Sequence, residues 1–462
     1  MTRLLSFRFR SALLVAVFGL VLLSAPAAAQ TGPLFVGLGD SIGEGVQSGD
    51  ANAATQPYSF FHLMAWRMGA AFPLPLIQTN PFGAVGSTDG RSRIDLAVRS
   101  FNLAVSGADV NSILFDAATA VDPSQIDTET ELVLYPEVGT QIEIAERLRP
   151  KYVACWIGNN DALGAALAWD QLNATQLTPV DDFTAKFTQL VERLDAIGAK
   201  AVFGTIPDIT GIGFLLNRQD LLRFLGNDYG LPDGSLTSVP AMFLVKLGLA
   251  NGAIFSDPNF VLDPTEQQII SGHIAQLNAV IRSTVAAHGM ALVDTWAIFE
   301  YLSHNPLNFF GVGLTTRFLG GLFSLDGVHP SNFGHALAAF FFIDALNQHY
   351  AAGIPQLDAL SLFWLHWTDP FIDKDGDGRV AGRFGLGLLE TIFALLGLSG
   401  DSNETPGTSS LLAASASPSL DGDAVKALDE YERHTGRDLR KMSPRERAAA
   451  VHRLFGTTRL VH

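Results

Sequence analysis

Short apolar runs alternate with stretches of helical periodicity through the first two thirds of the chain. The apolar runs predict buried strands, at residues 34–38, 98–105, 151–157, 201–206 and 290–294. The amphipathic stretches predict helices, among them residues 58–68, 141–148, 183–197 and 265–288. Strands that alternate with helices form a parallel sheet with helices on both faces. The pattern therefore predicts an α/β fold.

Three small or polar residues follow the ends of separate predicted strands: Ser41, Gly107 and Asn160. In open parallel sheets, ligands bind beyond the carboxyl ends of the strands. These residues are far apart in sequence, and the predicted sheet brings them to one crevice. The pattern thus predicts a site at this edge.

Ser41 stands in the tripeptide Gly39-Asp40-Ser41, where glycine permits a tight turn after the first strand. A serine hydroxyl becomes a strong nucleophile only when a neighbouring base takes its proton. Taken alone, the tripeptide fits a helix N-cap or a turn equally well. The interpretation depends on whether the chain supplies a base.

A histidine and an acid stand together late in the chain. Asp326 and His329 are three residues apart, in a turn that contains Gly327 and Pro330. This spacing lets the carboxylate accept a hydrogen bond from one ring nitrogen, which leaves the other nitrogen free to act as a base. A purely structural turn explains this pair alone as well as catalysis does.

Taken together and in this order, Gly39-Asp40-Ser41, Gly107, Gly158-x-Asn160-Asp161 and Asp326-x-x-His329 resemble the SGNH (GDSL) hydrolase family, over roughly residues 33–348. The resemblance implies a flavodoxin-like three-layer α/β/α sandwich with a five-stranded parallel sheet. It also implies Ser41 as nucleophile, His329 as base and Asp326 as the acid that orients it. The backbone N–H groups of Ser41 and Gly107 and the side-chain amide of Asn160 would form the oxyanion hole. Ile42 replaces the leucine of the family's name motif.

We expect a secreted serine hydrolase that cleaves small-molecule or lipid carboxylic esters, an esterase or lipase, with no cofactor for catalysis. A carbohydrate acetylesterase would use the same residues and is the first alternative. A non-catalytic surface binding protein on a hydrolase scaffold is an alternative from a different class. Because every catalytic position is filled, the enzyme is favoured.

The composition of the chain excludes some classes of binding partner. The chain has 462 residues, 48% of them hydrophobic and 16% charged, with a formal net charge of -16. Its length predicts one large domain with appendages, and its acidity argues against nucleic acid as a partner. The single cysteine, Cys155, excludes an intramolecular disulfide and is expected in the core. The oligomeric state stays open.

Residues 1–29 have the features of a signal peptide. Arg3, Arg8 and Arg10 precede an apolar run at 12–24, and small residues end the segment at Ala29. A membrane anchor is the alternative, but the apolar run is short for a span. We expect cleavage near Ala29 and export to the medium or the periplasm.

The hydrolase domain is predicted at residues 30–350, with an insert at 209–262 that is longer than a minimal family member needs. The insert follows a strand end and is rich in large apolar residues. These are Phe214, Leu215, Leu216, Leu221, Leu222, Phe224, Leu225, Met242, Phe243 and Leu244. The insert would either form an apolar cap that buries an acyl chain or only pack on the scaffold.

The C-terminal region divides by composition into three parts. Residues 351–400 are an apolar and aromatic extension, predicted to pack on the hydrolase domain or to contact lipid at the periphery. Residues 401–422 are rich in Ser, Ala, Gly and Asp and predict a linker. Residues 423–462 predict a small helical tail, broken near Ser443-Pro444.

A structural calcium site is predicted inside the extension. Asp373, Asp375 and Asp377 alternate before Gly378, and the carbonyl of Arg379 stands at the next ligand position of a calcium loop. The twelfth loop position is Phe384 where such loops have a bidentate glutamate. A solvated acidic turn is the alternative.

Overall fold

The structure is a computed structural model that describes residues 32–79, 87, 88, 90–167, 176–382, 388–400, 420–443, 446, 447 and 449–451. Its strands are β1 Phe35–Gly39, β2 Ile77–Thr79, β3 Ser87–Thr88, β4 Arg91–Arg93, β5 Tyr152–Trp156, β6 Lys200–Gly204, β7 Leu215–Leu216, β8 Leu236–Ser238, β9 Val261–Leu262, β10 Ala291–Val293, β11 Leu307–Phe309 and β12 Val312–Leu314. Its α-helices are α1 Ser41–Glu44, α2 Phe60–Met68, α3 Ser112–Phe115, α4 Glu129–Leu134, α5 Gln141–Leu148, α6 Asn160–Leu167, α7 Val180–Ala196, α8 Arg218–Leu225, α9 Val239–Lys246, α10 Pro264–Ala287, α11 Thr295–His304, α12 Asn332–Tyr350, α13 Ala359–Trp367, α14 Leu388–Leu395 and α15 Leu420–Thr435.

The central sheet is parallel, with the strand order β1-β5-β6-β10. The predicted strand at 98–105 is not a regular strand within the described part of the chain. It makes a single parallel bridge, between Asn102 and Gly37. Backbone hydrogen bonds nevertheless pair the segment with β1, because the N–H groups of Leu103 and Val105 donate to the carbonyls of Gly37 and Gly39 at 2.9 and 3.1 Å. The sheet therefore has four strands and a bridged edge segment where five strands were predicted.

Side chains alternate between the two faces of this sheet, as strand geometry requires. Phe35, Ala154 and Val202 pack against α2 and α12 on one face. Val36, Cys155 and Phe203 belong to the core on the opposite face, where α5, α7 and α10 lie. This gives the three-layer α/β/α arrangement, with Cys155 fully buried as expected.

Helix boundaries follow local sequence signals. The side chain of Asp263 accepts from the N–H groups of Thr265 and Glu266, and Pro264 occupies the first turn of α10. Asparagine, aspartate and proline at these positions satisfy or remove N–H groups that have no partner inside the helix. The helix begins at Pro264, the first helical position that Asp263 and Pro264 predict in the sequence.

The insert at 209–262 shares the apolar core of the α/β domain, because its buried side chains belong to the same cluster as Val36, Cys155 and Phe203 of the sheet. It contains α8, α9 and an antiparallel sheet of β7, β8 and β9. Most of its large apolar side chains are buried there, and Phe243 packs against Phe393 of α14 with ring centroids 4.9 Å apart. This burial favours the interpretation that most of the insert packs on the scaffold.

The extension and the tail pack together beside this insert. Helix α14 lies against α15, and Leu428, Tyr431 and Val451 join the same apolar cluster as Phe393. The tail's first helix begins at Leu420, inside the predicted linker, and ends before Gly436, which has φ 67°. The helix therefore ends earlier than the predicted break at Ser443-Pro444. The predicted signal peptide and most of the predicted linker lie outside the described residues.

No helix within the described residues is both long and apolar enough to cross a membrane.

Candidate active site

Ser41 is held at the carboxyl end of β1 by a turn that needs glycine. Gly39 has φ 153°, and a Cβ atom there would lie 2.4 Å from the carbonyl oxygen of Trp156 on the neighbouring strand. The Gln141 side chain bonds both the N–H and the carbonyl of Gly39, each at 3.0 Å. Asp40 then caps α1 by accepting from the Ile42 N–H at 3.0 Å. Ser41 is the first residue of that helix and is 4% exposed.

The structure brings Ser41, His329 and Asp326 into direct contact. The Oγ of Ser41 lies 2.8 Å from Nε2 of His329. The Nδ1 of the same ring lies 2.7 Å from Oδ2 of Asp326. With the Nδ1 proton donated to the carboxylate, Nε2 can accept the serine proton. This arrangement can therefore transfer a proton from the hydroxyl to the imidazole.

Asp326 is fully buried and held by several donors. Its Oδ1 accepts from the N–H groups of Val328 and His329, each at 2.9 Å, and its Oδ2 accepts from Gly49 at 2.7 Å. Burial alone would raise the pKa of this carboxyl, but the attraction of His329 and these hydrogen bonds hold it below its usual value. Asp326 is therefore a carboxylate at neutral pH, suited to face an imidazolium.

The loop after α1 is tied to the histidine loop by contacts that sequence reasoning missed. The Ser48 N–H donates to Oγ of Ser324 at 2.9 Å, next to the bond between Gly49 and Asp326. The Gln47 side chain donates to Oδ1 of Asn332 at 3.0 Å. These bonds fix the loops that hold the serine and the histidine. No periodic pattern marks them in the sequence.

Gly107 and Asn160, the predicted oxyanion-hole residues, are linked through one carbonyl. The Asn160 side chain donates to the carbonyl of Ala108 at 2.7 Å, and Gly107 precedes that residue with φ 82°. The segment before Gly107 is bonded to β1, the strand that precedes Ser41, because the Val105 N–H donates to the Gly39 carbonyl at 3.1 Å. An amide carries two N–H groups, so one engaged with Ala108 leaves a second for another acceptor.

Glu44, at the end of α1, anchors the turn that contains Gly107. Its Oε2 accepts from the backbone N–H of Ser106 at 2.7 Å and from the Ser106 hydroxyl at 2.5 Å. Burial, followed by repulsion from Glu129, raises the pKa of Glu44 to about 8, against the hydrogen bonds of Ser106 and the attraction of Arg91. Glu44 thus connects the helix of Ser41 to the turn of Gly107.

Two other buried carboxyls near the site differ from Asp326 in the direction of their pKa shift. Burial raises the pKa of Asp40 to about 6 despite a hydrogen bond from Asn159 at 2.8 Å. Burial and repulsion from Asp109 raise the pKa of Asp161 to about 7. Neither carboxyl has a hydrogen bond to His329 among the described contacts. Of the three, Asp326 is the one built to orient the histidine.

The predicted calcium ligands form a separate cluster in the extension. Oxygens of Asp373, Asp375 and Asp377 lie within 4.8 Å of one another. The carboxylate of Asp373 accepts from the N–H groups of Gly376 and Gly378 at 2.7 and 2.8 Å. The loop therefore has its own hydrogen bonds, and no described bond joins these aspartates to Ser41 or His329. Phe384 lies outside the described residues.

A protein-family model matches most of the chain. The model for GDSL-like lipase/acylhydrolase matches residues 35–340, well over half of the chain. The chain belongs to this family. The match confirms the resemblance inferred from the motifs, and membership supports ester hydrolysis without a catalytic cofactor. Within the GDSL domain the described fold is the expected α/β/α arrangement.

The chain also matches solved structures of three other proteins. An acetylxylan esterase from Geobacillus stearothermophilus is 15% identical, with 70% of this chain and 94% of that chain covered and a TM-score of 0.33. Phospholipase A1 from Streptomyces albidoflavus is 17% identical, with 69% and 99% covered and a TM-score of 0.29. An α/β hydrolase from the metagenome of Lake Arreo, Spain, is 16% identical, with 67% and 93% covered and a TM-score of 0.33. No curated protein matches the chain. Similarity at this level leaves the substrate of this chain undefined.

Proposed function

We propose that the protein is an exported carboxylic ester hydrolase that works through an acyl-enzyme on Ser41. The observation that carries the proposal is the chain of contacts from Ser41 Oγ to His329 Nε2 and from His329 Nδ1 to Asp326, at 2.8 and 2.7 Å. Export is supported by the signal-peptide features of residues 1–29. A carbohydrate acetylesterase and a non-catalytic scaffold are the competing functions.

In the proposed reaction, Ser41 Oγ attacks the ester carbonyl carbon while His329 Nε2 takes its proton. Asp326 holds the ring and stabilises the imidazolium that results. Collapse of the tetrahedral intermediate breaks the bond to the alcohol, which receives the proton from His329. Water then attacks the acyl-serine with the same base, releasing the carboxylic acid and restoring the Ser41 hydroxyl.

The negative oxygen of the intermediate needs donors that are already in place. The backbone N–H groups of Ser41 and Gly107 and the amide of Asn160 are the proposed donors. Loss of one such donor typically costs about 10²–10³ in kcat, since preorganised donors are worth most where charge develops. Glu44 accepts a hydrogen bond from Ser106, and Ala108 accepts one from Asn160. These two bonds hold the residues on either side of Gly107.

An alkyl p-nitrophenyl phosphonate tests the proposed nucleophile directly. Ser41 Oγ should attack phosphorus and release one equivalent of p-nitrophenolate, leaving a phosphonylated serine that peptide mapping locates. The intact mass of the labelled protein also shows whether the mature chain starts at Gln30. Label on another residue, or equal labelling of Ser41→Ala, would count against the proposal.

We also propose that α13 contacts a lipid surface. Leu360, Phe363, Trp364 and Trp367 occupy one side of this helix at helical spacing. Leu360, Trp364 and Trp367 are each more than two-fifths exposed, while His366 on the other side is buried. The ring of Phe363 stacks with that of Trp367 and makes an edge contact with Phe310, with the ring centroids of Phe363 and Phe310 5.0 Å apart. Tryptophan is enriched at membrane interfaces, and the net charge of -16 favours uncharged lipid.

Sedimentation with phosphatidylcholine vesicles tests this surface. Wild type should sediment with the vesicles, and the double variant Trp364→Ser with Trp367→Ser should lose most of that binding, since both exposed indoles are removed. Trp66→Ser removes another exposed tryptophan, on α2, and is the matched control. Equal sedimentation of all three proteins would exclude the stripe as the lipid contact.

We propose that the loop Asp373–Asp377 binds calcium with a structural role. The carboxylate cluster and the sharp turns at Gly376 and Gly378, with φ 80° and 87°, suit hard oxygen ligands. Millimolar calcium should raise the Tm by a few degrees, since a ligand of the folded state stabilises it. Ester turnover should stay nearly unchanged. A Tm that calcium shifts equally in wild type and Asp375→Asn would place the effect elsewhere.

A further inference from the structure

A cavity of about 130 Å³ is lined in part by the sequence neighbours of the catalytic residues. Ile42, which follows Ser41, contributes to one wall. Val328 and Pro330, on either side of His329, contribute to the same region, as does Asn159 next to Asn160. The cavity therefore begins among the immediate sequence neighbours of the serine, the base and the proposed amide donor.

From there the cavity extends between α11 and α12. Ile298 and Leu302 of α11 face it from one side, and Leu337, Ala338 and Phe341 of α12 from the other. These five side chains are partly exposed, so the cavity is open to solvent along this seam. Phe341 lies nine residues after the start of α12, which at the rise of an α-helix is about 14 Å from the histidine end.

The lining is almost entirely apolar. Its polar side chains are Asn159, Thr295 and Thr316, and Asn159 already donates to Asp40. An apolar lining gives no partners for the hydroxyl groups of a sugar, and a polar group moved there from water loses hydrogen bonds. The same lining favours a hydrocarbon.

We propose that this cavity holds the acyl chain of the ester and selects chains of about six carbons. The inference rests on the proposed function and adds its substrate class, medium-chain acyl esters. An apolar cavity of about 150 Å³ in another protein holds a benzene ring, which sets the scale of about six carbons. The acyl site is then this cavity and not a cap formed by the insert, since only Ile209 and Ile212 of the insert line the cavity.

The first test is the dependence of kcat/KM on acyl length with p-nitrophenyl esters. Each methylene that leaves water for an apolar site gains about fourfold in binding. The hexanoate should therefore exceed the acetate by at least about tenfold, with a decline for chains longer than the cavity. A profile that peaks at acetate would overturn the proposal and favour the carbohydrate acetylesterase.

Two variants change the size of the cavity. Ala338→Phe fills it, so the ratio of hexanoate to acetate kcat/KM should fall by about tenfold. Ala345→Phe adds the same side chain to the same helix away from the cavity and should keep the wild-type ratio. Phe341→Ala enlarges the space, so the optimum should move to longer chains. If Ala338→Phe does not fold, the shift in Phe341→Ala decides the question, and an unchanged optimum overturns the proposal.

Binding separates this proposal from the proposed function. Titration calorimetry of Ser41→Ala with p-nitrophenyl hexanoate and p-nitrophenyl acetate needs no turnover. Tighter binding of the hexanoate, lost on adding Ala338→Phe, would support the cavity even if wild type hydrolyses no ester. Ester turnover with no preference in rate or affinity would leave the hydrolase intact and refute the acyl cavity.

Discussion

Ser41→Ala should hydrolyse p-nitrophenyl acetate about 10⁶-fold more slowly than wild type, the scale measured when a serine protease loses its nucleophile. The change removes one oxygen from a side chain that is 4% exposed and adds no volume. His329 then has no proton to accept, and only binding and the oxyanion donors remain. The measurement is kcat with both proteins checked by circular dichroism for the same fold.

A serine away from the site controls for the loss of a hydroxyl. Ser283→Ala, on the exposed face of α10, should keep full turnover. Ester hydrolysis by Ser41→Ala above a tenth of the wild-type rate would mean that another group attacks the ester. The acyl-enzyme on Ser41 would then have to be abandoned.

Asp326→Asn should lower kcat by about 10⁴, the effect of the same change in a Ser-His-Asp triad. Asparagine has nearly the same shape, but one oxygen becomes an NH₂ group that cannot accept. At the Oδ2 position that group would face both the Nδ1–H of His329 and the N–H of Gly49, and at the Oδ1 position it would face the N–H groups of Val328 and His329. The histidine would keep its proton on Nε2 and lose the ability to take one from Ser41.

The neighbouring carboxyls provide the comparison. Asp40→Asn and Asp161→Asn should each reduce kcat far less than Asp326→Asn. Asp40 caps α1 and Asp161 accepts from the Val110 N–H at 3.0 Å, so their described roles are structural. A larger loss from either substitution than from Asp326→Asn would show that the wrong acid had been chosen.

The parts of the site that local patterns encode could be predicted. The end of β1 at Gly39, the serine after it and the turn from Asp326 to His329 depend on residues close in sequence. The contacts of Gln47, Ser48 and Gly49 with the histidine loop could not be predicted, because loop residues have no periodicity and their partners lie almost 300 residues away.

The composition of the insert left two interpretations open, an acyl-binding cap or packing on the scaffold. Apolar residues indicate that a segment is buried, but they do not identify the neighbour that buries it. Phe243, for example, packs on Phe393 from a distant part of the chain. The proposed acyl cavity is lined in part by α11 and α12. In the sequence, these two segments resemble ordinary core helices. The fifth predicted strand forms a single bridge to β1, at Asn102, although the N–H groups of Leu103 and Val105 also donate to carbonyls of β1.

The ties between the serine loop and the histidine loop have a consequence for folding. Ser41 and His329 are separated by 288 positions and Gly49 and Asp326 by 277, so these bonds close some of the longest loops in the chain. Contacts between distant positions carry a high entropic cost and form slowly. In refolding from denaturant, helical signal should therefore return well before ester turnover. Recovery of enzyme activity therefore reports that the long-range contacts of this fold have formed. Spectroscopy of secondary structure does not report these contacts.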